Sequence, residues 1–87
     1  MAIQSQIKLA IAEDHPQLLQ SLRMKLEQNS QYVVKHAARN GRELLDMLQE
    51  YCGIDLVLMD LQMPLMDGVE ATAQVKSKYP HVRVLVI

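Results

Sequence analysis

Three carboxylates stand where strands of this 87-residue chain are expected to end. Glu13 and Asp14 follow the apolar segment 7–12, and Asp60 follows the apolar run 56–59, which suits a strand buried on both faces. In a parallel α/β sheet the carboxyl ends of the strands share one edge, and ligands bind there. A sheet that pairs these strands would bring the three carboxylates into one pocket, which implies a hard divalent cation. Mg²⁺ fits best, because it takes oxygen ligands and commonly bridges a carboxylate to a phosphate.

The rest of the chain alternates segments of strand and helix character, which must position these carboxylates. Strands are predicted over 7–12, 32–37, 56–59 and 82–87, and helices over 16–28, 41–51 and 68–78. Strands that alternate with helices indicate right-handed βαβ units and a parallel sheet. The fold class predicted from the pattern is therefore α/β.

Capping and helix-breaking residues mark the predicted helix ends. Asn40 can cap the second helix, and Gly53 stands in the place usual for its C-terminus. Asp67 is the predicted N-cap of the third helix, with Glu70 three residues later in a capping-box arrangement, and Pro80 stops that helix. Asp60 is thus expected between a buried strand and a capped helix start.

Composition limits the possible function classes. A chain of 87 residues with 49% hydrophobic content is expected to form one small domain, residues 1–87. Its net charge of −1 gives no overall electrostatic reason to bind nucleic acid or an anionic membrane, and without Phe or Trp no stacking platform for single strands is visible. The lone Cys52 cannot form an intramolecular disulfide, and no signal region or long apolar run appears. A cytoplasmic protein without a membrane span is the simplest interpretation.

The histidines of the chain do not form a recognisable metal-binding pattern. His15, His36 and His81 are scattered over different elements without ligand spacing, which argues against a zinc site. His15 nevertheless adjoins the acidic pair and could tune a loop by its charge. Any single carboxylate of the three could equally be a solvated acid at a loop start, so the prediction of a site depends on their common placement.

The spacing of the acidic residues resembles that of a known family. Over nearly the whole chain, from Ile7 to Ile87, the sequence is similar to the receiver domain of bacterial two-component response regulators. The first residues after strand one, 13–16, further resemble the branch whose receiver is joined to a LuxR/NarL-type helix-turn-helix domain. The motifs that carry the resemblance are Glu13-Asp14, Asp60, Met63-Pro64 and Asp67-Gly68.

The resemblance implies a role for each matching residue. Asp60 would be the phosphoacceptor that attacks the phosphoryl group of a histidine kinase's phosphohistidine. Asp14 and Asp60 would bind Mg²⁺ directly, together with the backbone carbonyl of Gln62, while Glu13 would act mainly through water. Phosphoryl transfer needs an in-line oxygen nucleophile and a cation, so the chemistry of these residues agrees. Such a domain is phosphorylated once by its donor and is not a turnover enzyme.

The sequence departs from the family pattern at its end. Family members carry Ser or Thr directly after the fourth strand and a Lys at the end of a fifth, and this sequence ends at Ile87, before either. We therefore expect a flavodoxin-like receiver truncated after the fourth strand, with sheet order 2-1-3-4 and without the fifth strand and last two helices. An apolar fourth strand would then form the sheet edge, and the Leu18, Leu22 and Leu26 stripe of the first helix would be partly uncovered. We expect such a chain to self-associate.

Three hypotheses of function remain open at this point. The leading one is a phosphoacceptor receiver whose parent protein regulates transcription, with DNA contacted only through a domain outside this chain. The alternative is a receiver that is not phosphorylated and acts as a protein-interaction module. A phosphatase or mutase with an aspartyl nucleophile ranks last, because the sequence shows neither a second acid/base nor a substrate-enclosing cap.

Overall fold

A computed structural model describes residues 6–87 as a four-stranded parallel sheet with helices on both faces. The sheet order is β2-β1-β3-β4, which confirms the predicted α/β class and the flavodoxin-like order 2-1-3-4. The predicted domain of residues 1–87 includes residues 1–5, which lie outside the described residues. The elements are β1 (Ile7–Ala12), α1 (Pro16–Glu27), β2 (Tyr32–Ala38), α2 (Gly41–Glu50), β3 (Leu56–Met59), α3 (Gly68–Lys78) and β4 (Arg83–Val86).

The side chains of β1 divide the interior into two apolar layers. Ala10 and Ala12 are fully buried in the larger layer, which α2 and α3 complete. Leu9 and Ile11 point to the opposite face, where α1 covers them with partly buried leucines. The alternation follows from the two-residue period of a strand. The helix layers on either side therefore bury both faces of β1.

Side-chain caps begin α2 and α3. The Oδ1 of Asn40 accepts a hydrogen bond from the N–H of Glu43 at 2.9 Å, and the Oδ1 of Asp67 accepts one from the N–H of Glu70 at 2.9 Å. Each contact satisfies an N–H group that has no partner within its own helix. The Glu43 carboxylate also reaches back to the N–H of Arg39 at 3.0 Å. Both predicted N-caps are confirmed.

The C-terminus of α2 differs from the prediction. The helix ends at Glu50, where the N–H of Tyr51 donates to the Met47 carbonyl at 2.8 Å. The expectation that Gly53 ends the helix was wrong, because Tyr51 already has extended backbone and none of the described glycines has a positive φ. The chain leaves the helix early since it must extend toward β3 while it buries Ile54, which is only 1% exposed.

The other predicted element ends differ from the observed ones by one residue each. β2 continues to Ala38, which pairs with Ala12, and α1 stops at Glu27. β4 is limited to Arg83–Val86, because β3 offers four residues with which it can pair. No helix within residues 6–87 combines the length and apolar character needed to cross a bilayer.

Candidate functional site

The register of the sheet places the ends of β1 and β3 side by side. Ala12 pairs with Met59, and the N–H of the next residue, Asp60, donates to the Ala12 carbonyl at 3.0 Å. Glu13 and Asp14 follow Ala12 at the same edge. Each of the three acidic side chains offers an oxygen, and these atoms lie within 4.8 Å of one another. The structure thus brings together the three carboxylates that the sequence places after strands.

Glu13 is a buried carboxylate with its own hydrogen-bond partners. Its side chain is 2% exposed, and its N–H donates to the Ala38 carbonyl at 2.9 Å, which holds it between the ends of β1 and β2. Its Oε2 accepts a hydrogen bond from the backbone N–H of His15 at 3.1 Å and contacts His15 Nδ1 at 2.9 Å. A carboxylate can only accept, so Nδ1 carries the proton of this contact. These donors offset much of the cost of burying the charge.

Asp14 presents an oxygen that needs a partner. Its Oδ1 is buried, and no group within residues 6–87 donates a hydrogen bond to it. The nearest cationic group, His15 Nδ1, lies 3.3 Å away but is already engaged by Glu13, and the contact lacks hydrogen-bond geometry. A buried acceptor without a donor is costly. A divalent cation would supply the missing partner, so this donor set of three carboxylates fits Mg²⁺.

The acidic pair also changes the ionisation of His15. Its hydrogen bond to Glu13, and then the charge of Asp14, raise the pKa of the imidazole above its ordinary value of 6.5. Asp60 adds a smaller contribution in the same direction. The imidazole is 73% exposed, so water screens these charges. The protonated ring therefore stands against the acidic cluster over a wider pH range than a free histidine would.

Asp60 is the third carboxylate of the cluster, and it lines an open cavity together with Glu13 and Asp14. It is half-buried, and its Oδ1 accepts one long hydrogen bond, from the N–H of Gln62 at 3.3 Å. It lines a cavity of about 630 Å³ that the acidic cluster bounds on one side, with Leu18, Leu22 and Ile87 on the other. An oxygen nucleophile here can be reached by a phosphoryl group from outside. Gln62 also lines this cavity, and the predicted role of its carbonyl stays a prediction.

Gly68 fixes the course of the chain after Asp60. Its N–H donates to the Leu61 carbonyl at 2.9 Å, so the start of α3 lies directly against the loop. A Cβ at this position would lie 2.8 Å from Leu61 Cα and 2.9 Å from the carbonyl carbon of Asp60, and closer still to the carbonyl oxygen of Asp60. Any side chain would therefore push on the backbone of Asp60. The sequence pattern placed Gly68 at a helix start and did not predict this contact. The one indication in the sequence is that glycine, a poor helix former, occupies the first position of the helix.

A tight turn shapes the middle of the same loop. Leu65 has a φ of 66°, and the N–H of Met66 donates to the Pro64 carbonyl at 2.7 Å. These features describe a three-residue γ-turn, a conformation that costs a side-chain-bearing residue about 1 kcal/mol or more. The turn leaves Leu65 88% exposed while Met63 and Met66 on either side are buried in the core. These two methionines therefore anchor the loop to the core.

The other histidines and the cysteine lie away from the cluster. The ring centroids of His36 and Tyr51 lie 4.9 Å apart in an edge-on arrangement. His81 and Cys52 are exposed. Among the described residues, the group able to hold a metal ion consists of the three carboxylates and His15.

Comparison with known proteins points to one family. The sequence pattern of the response regulator receiver domain matches residues 9–87. A protein-glutamate methylesterase/protein-glutamine glutaminase of Pseudomonas fluorescens is 40% identical over 80 residues, which cover 92% of this chain and 24% of that protein. The transcriptional regulatory protein YdfI of Bacillus subtilis is 38% identical over 72 residues, 83% of this chain and 33% of that protein. The chain thus spans about a quarter to a third of the curated relatives it matches.

A solved structure agrees with the sequence comparison. The non-phosphorylated receiver domain of the stress response regulator RcsB from Escherichia coli superposes with a TM-score of 0.87 at 26% identity. The match covers 95% of this chain and 65% of that one. The fold and the order of elements are therefore shared.

Proposed function

This chain belongs to the response regulator receiver domain family, and from that premise we propose that Asp60 accepts a phosphoryl group from the phosphohistidine of a histidine kinase. The observation that carries the proposal is the meeting of three carboxylates at one sheet edge, with Asp60 facing the open cavity. Glu13 is unsuited as a nucleophile, because it is buried and bonded to His15. We assign Asp14 to the cation instead, because its buried Oδ1 has no hydrogen-bond donor within residues 6–87.

The geometry of Asp60 supports a direct transfer. A carboxylate oxygen attacks the phosphorus, the bond between phosphorus and the donor's imidazole nitrogen breaks, and its electron pair stays on that nitrogen. The Gln62 N–H holds Oδ1 of Asp60 at 3.3 Å, which leaves Oδ2 for the attack. The reaction needs positioning and charge neutralisation and little covalent chemistry from the protein.

The residues that would hold Mg²⁺ are those of the acidic cluster. We assign direct contact to Asp14 and Asp60, a third contact to the backbone carbonyl of Gln62, and contact through water to Glu13. The orphaned Oδ1 of Asp14 supports this assignment. When bound, the cation supplies positive charge that offsets the repulsion between the phosphoryl oxygens and the carboxylates.

Phosphorylation by a small donor tests the proposal directly. We expect intact-mass spectrometry to show one added phosphoryl group after incubation with acetyl phosphate and Mg²⁺, and none with a chelator. Asp60→Asn should abolish the addition, whereas Asp46→Asn, at an exposed carboxylate on α2, should leave it unchanged. Equal phosphorylation of the two variants would refute the assignment of Asp60.

We propose regulation of transcription as the output of the parent protein, with DNA contacted outside this chain. The resemblance of residues 13–16 to the LuxR/NarL-type branch and the name of the relative YdfI support this output. The relative from P. fluorescens is a methylesterase, so a hydrolase output is the specific competitor. The reading frame on either side of this chain distinguishes the two: a helix-turn-helix segment supports the proposal, and an esterase domain contradicts it.

We further propose that a second copy of the chain docks on the edge of β4. The exposed fractions of Leu85, Val86 and Ile87 are 54%, 48% and 45%, and Arg83 is the one charged residue of the strand. An apolar edge with unpaired backbone groups is a template for another strand, and two copies of the same edge can pair about a two-fold axis.

Sedimentation velocity at increasing concentration tests this docking. We expect the unmutated chain to self-associate and Leu85→Lys to remain monomeric, because an edge lysine opposes strand pairing. Val69→Lys, at a 64% exposed position on α3, is the matched control and should behave as the unmutated chain does. A monomer at the highest concentration would refute the proposal.

A further inference from the structure

We propose that Asn40 is a site of spontaneous deamidation and that the loop between β3 and α3, residues 60–67, controls the rate of this reaction. Asn40 precedes Gly41 in the one Asn-Gly pair of the sequence. The backbone nitrogen that follows an asparagine can attack its side-chain amide, and glycine hinders that attack least because it has no Cβ. The inference does not depend on the phosphoacceptor role of Asp60, since the reaction involves neither a phosphoryl group nor a cation.

The reaction needs water as its co-reactant and no enzyme. The Gly41 nitrogen gives up its proton and bonds to Cγ of Asn40. The bond between Cγ and the side-chain nitrogen breaks, and that nitrogen leaves with a proton as ammonia. Water then opens the resulting succinimide at either carbonyl. One opening gives aspartate, and the other gives isoaspartate, in which the main chain runs through the side-chain carbons.

Two separate structural demands place this reactive pair at the start of α2. Oδ1 of Asn40 caps the helix by accepting a hydrogen bond from the N–H of Glu43 at 2.9 Å. Gly41 has no room for a side chain, because a Cβ there would lie 2.8 Å from the carbonyl oxygen of Met66 and 2.8 Å from Cβ of Ala71. A capping asparagine and a close approach of helix and loop thus fall on neighbouring residues.

The folded chain opposes closure of the succinimide ring. The N–H of Gly41 donates to the Met66 carbonyl at 2.8 Å, so the attacking nitrogen keeps its proton and points at the loop. The ring is nearly flat, which requires Cβ of Asn40 to eclipse the Gly41 nitrogen, and a ψ of 171° at Asn40 keeps the two apart. Asn40 is also only 7% exposed. The pair can therefore react when α2 and the loop separate.

Deamidation of Asn40 consequently measures how often the loop at Met66 leaves α2. Met66 is 8% exposed and packs in the core beside α2 and α3. Local opening of such a contact costs less free energy than unfolding the whole sheet. Isoaspartate would lengthen the main chain by one carbon between the cap and the Gly41 N–H, so the helix start and the loop could no longer close in register.

Ageing of the full chain at mildly alkaline pH, folded and in urea, tests the control by the fold. A glutamyl endopeptidase releases residues 28–43, which carry both asparagines of the chain, and mass spectrometry follows each one. Asn29, in an exposed turn before Ser30, is the internal control. In urea Asn40 should react faster than Asn29, because glycine hinders the attack less than serine. In the folded chain we expect the reverse order, with Asn40 slowed at least about tenfold relative to urea.

Two methionine variants test the part played by the loop. Met66→Ala removes the side chain whose Cγ lies 2.8 Å from the Cβ position of Gly41. Met63→Ala is the matched control, because Met63 is 9% exposed in the same loop and is not among the nearest neighbours of Gly41. We expect Asn40 in folded Met66→Ala to react about threefold or more faster than in folded Met63→Ala. Asn29, and both asparagines in urea, should react alike in the two variants.

The stability of the aged chain gives a second readout. Asn40→Asp has the aspartate product and keeps an acceptor for the Glu43 N–H, so its urea midpoint should match that of the fresh chain. A chain enriched in isoaspartate should unfold at lower urea, and an unchanged midpoint would contradict the predicted damage to the helix start.

Two results would overturn the inference. If Asn40 reacts faster than Asn29 in the folded chain, the fold does not control the pair. If the two methionine variants deamidate equally fast, the loop at Met66 is not the element that holds it. Both results can be read whether or not Asp60 accepts a phosphoryl group, so they are distinct from failure of the proposed function.

Discussion

The contact between Gly68 and the backbone of Asp60 predicts an unusually costly Gly→Ala substitution. A methyl group on Gly68 would lie 2.8 Å from Leu61 Cα and 2.9 Å from the carbonyl carbon of Asp60. Both neighbours are backbone atoms, which cannot turn away as a flexible side chain does. The start of α3 and the end of β3 must therefore separate by roughly 1 Å before these contacts become tolerable.

The magnitude follows from the effects of overpacking and misplacement. Forcing a methyl group into a close-packed site costs about 1–3 kcal/mol, and we expect the upper part of that range for Gly68→Ala. A displacement of roughly 1 Å in a reacting group can cost about 100-fold in rate. The carboxylate of Asp60 moves with its own backbone, so we expect phosphoryl transfer to slow between about 10- and 100-fold.

Urea unfolding and the initial rate of phosphorylation by acetyl phosphate measure the two effects. Gly53→Ala is the matched control, because its Cβ would meet the Tyr51 side chain at 3.0 Å and no backbone atom is among its nearest neighbours. Gly53→Ala should lower the free energy of unfolding by less than about 1 kcal/mol and leave the phosphorylation rate unchanged. Equal stability and equal rates for the two variants would refute the idea that Gly68 sets the position of Asp60.

Three further predictions follow from the caps and charges of the site. Asn40→Ala should lower the unfolding free energy by about 1 kcal/mol in urea titrations, because the N–H of Glu43 loses its acceptor. Asp60→Asn should raise the melting temperature of the metal-free chain by relieving like-charge repulsion and should reduce its response to Mg²⁺; identical responses would contradict the site. The raised pKa of His15 means that its contribution to metal-free stability is fully present below pH 6.5 and is lost as pH rises through the folded-state pKa. Urea midpoints measured with a chelator should show this loss above pH 6.5, and His15→Gln should abolish it.

The fold was predictable because its signals are local and consistent with one another. The apolar run 56–59 and the alternation in 7–12 define buried strands, and Asn40 and Asp67 mark helix starts by side-chain contacts to residues three positions on. The placement of Glu13, Asp14 and Asp60 at one edge then follows from the pairing of two parallel strands. Periodicity and caps are properties of short segments, so one sequence is enough to recognise them.

The parts that sequence reasoning missed depend on contacts between distant segments. Gly53 resembles a helix-ending glycine, but the burial of Ile54 and the path to β3 end α2 earlier. The importance of Gly68 lies in its distance from Asp60, and no periodicity reports a distance across a loop. The contact of His15 with Glu13 likewise depends on how the chain turns between β1 and α1.

The three carboxylates of the cluster lie in different environments, although β1 and β3 each have a neighbouring strand on both sides. The N–H of Glu13 bonds to the Ala38 carbonyl at the end of β2, and the Glu13 side chain is 2% exposed. Asp14 lies one residue farther out and buries only one oxygen. Asp60 follows β3, where the neighbouring end of β4 and α1 leave an open cavity beside it. Under the roles proposed above, a buried acid held by hydrogen bonds suits support, a partly buried acid without a hydrogen-bond donor suits cation binding, and an acid that lines the open cavity suits nucleophilic attack. Exchanging Asp60 with Glu13 would place the proposed nucleophile at a position where the side chain is 2% exposed.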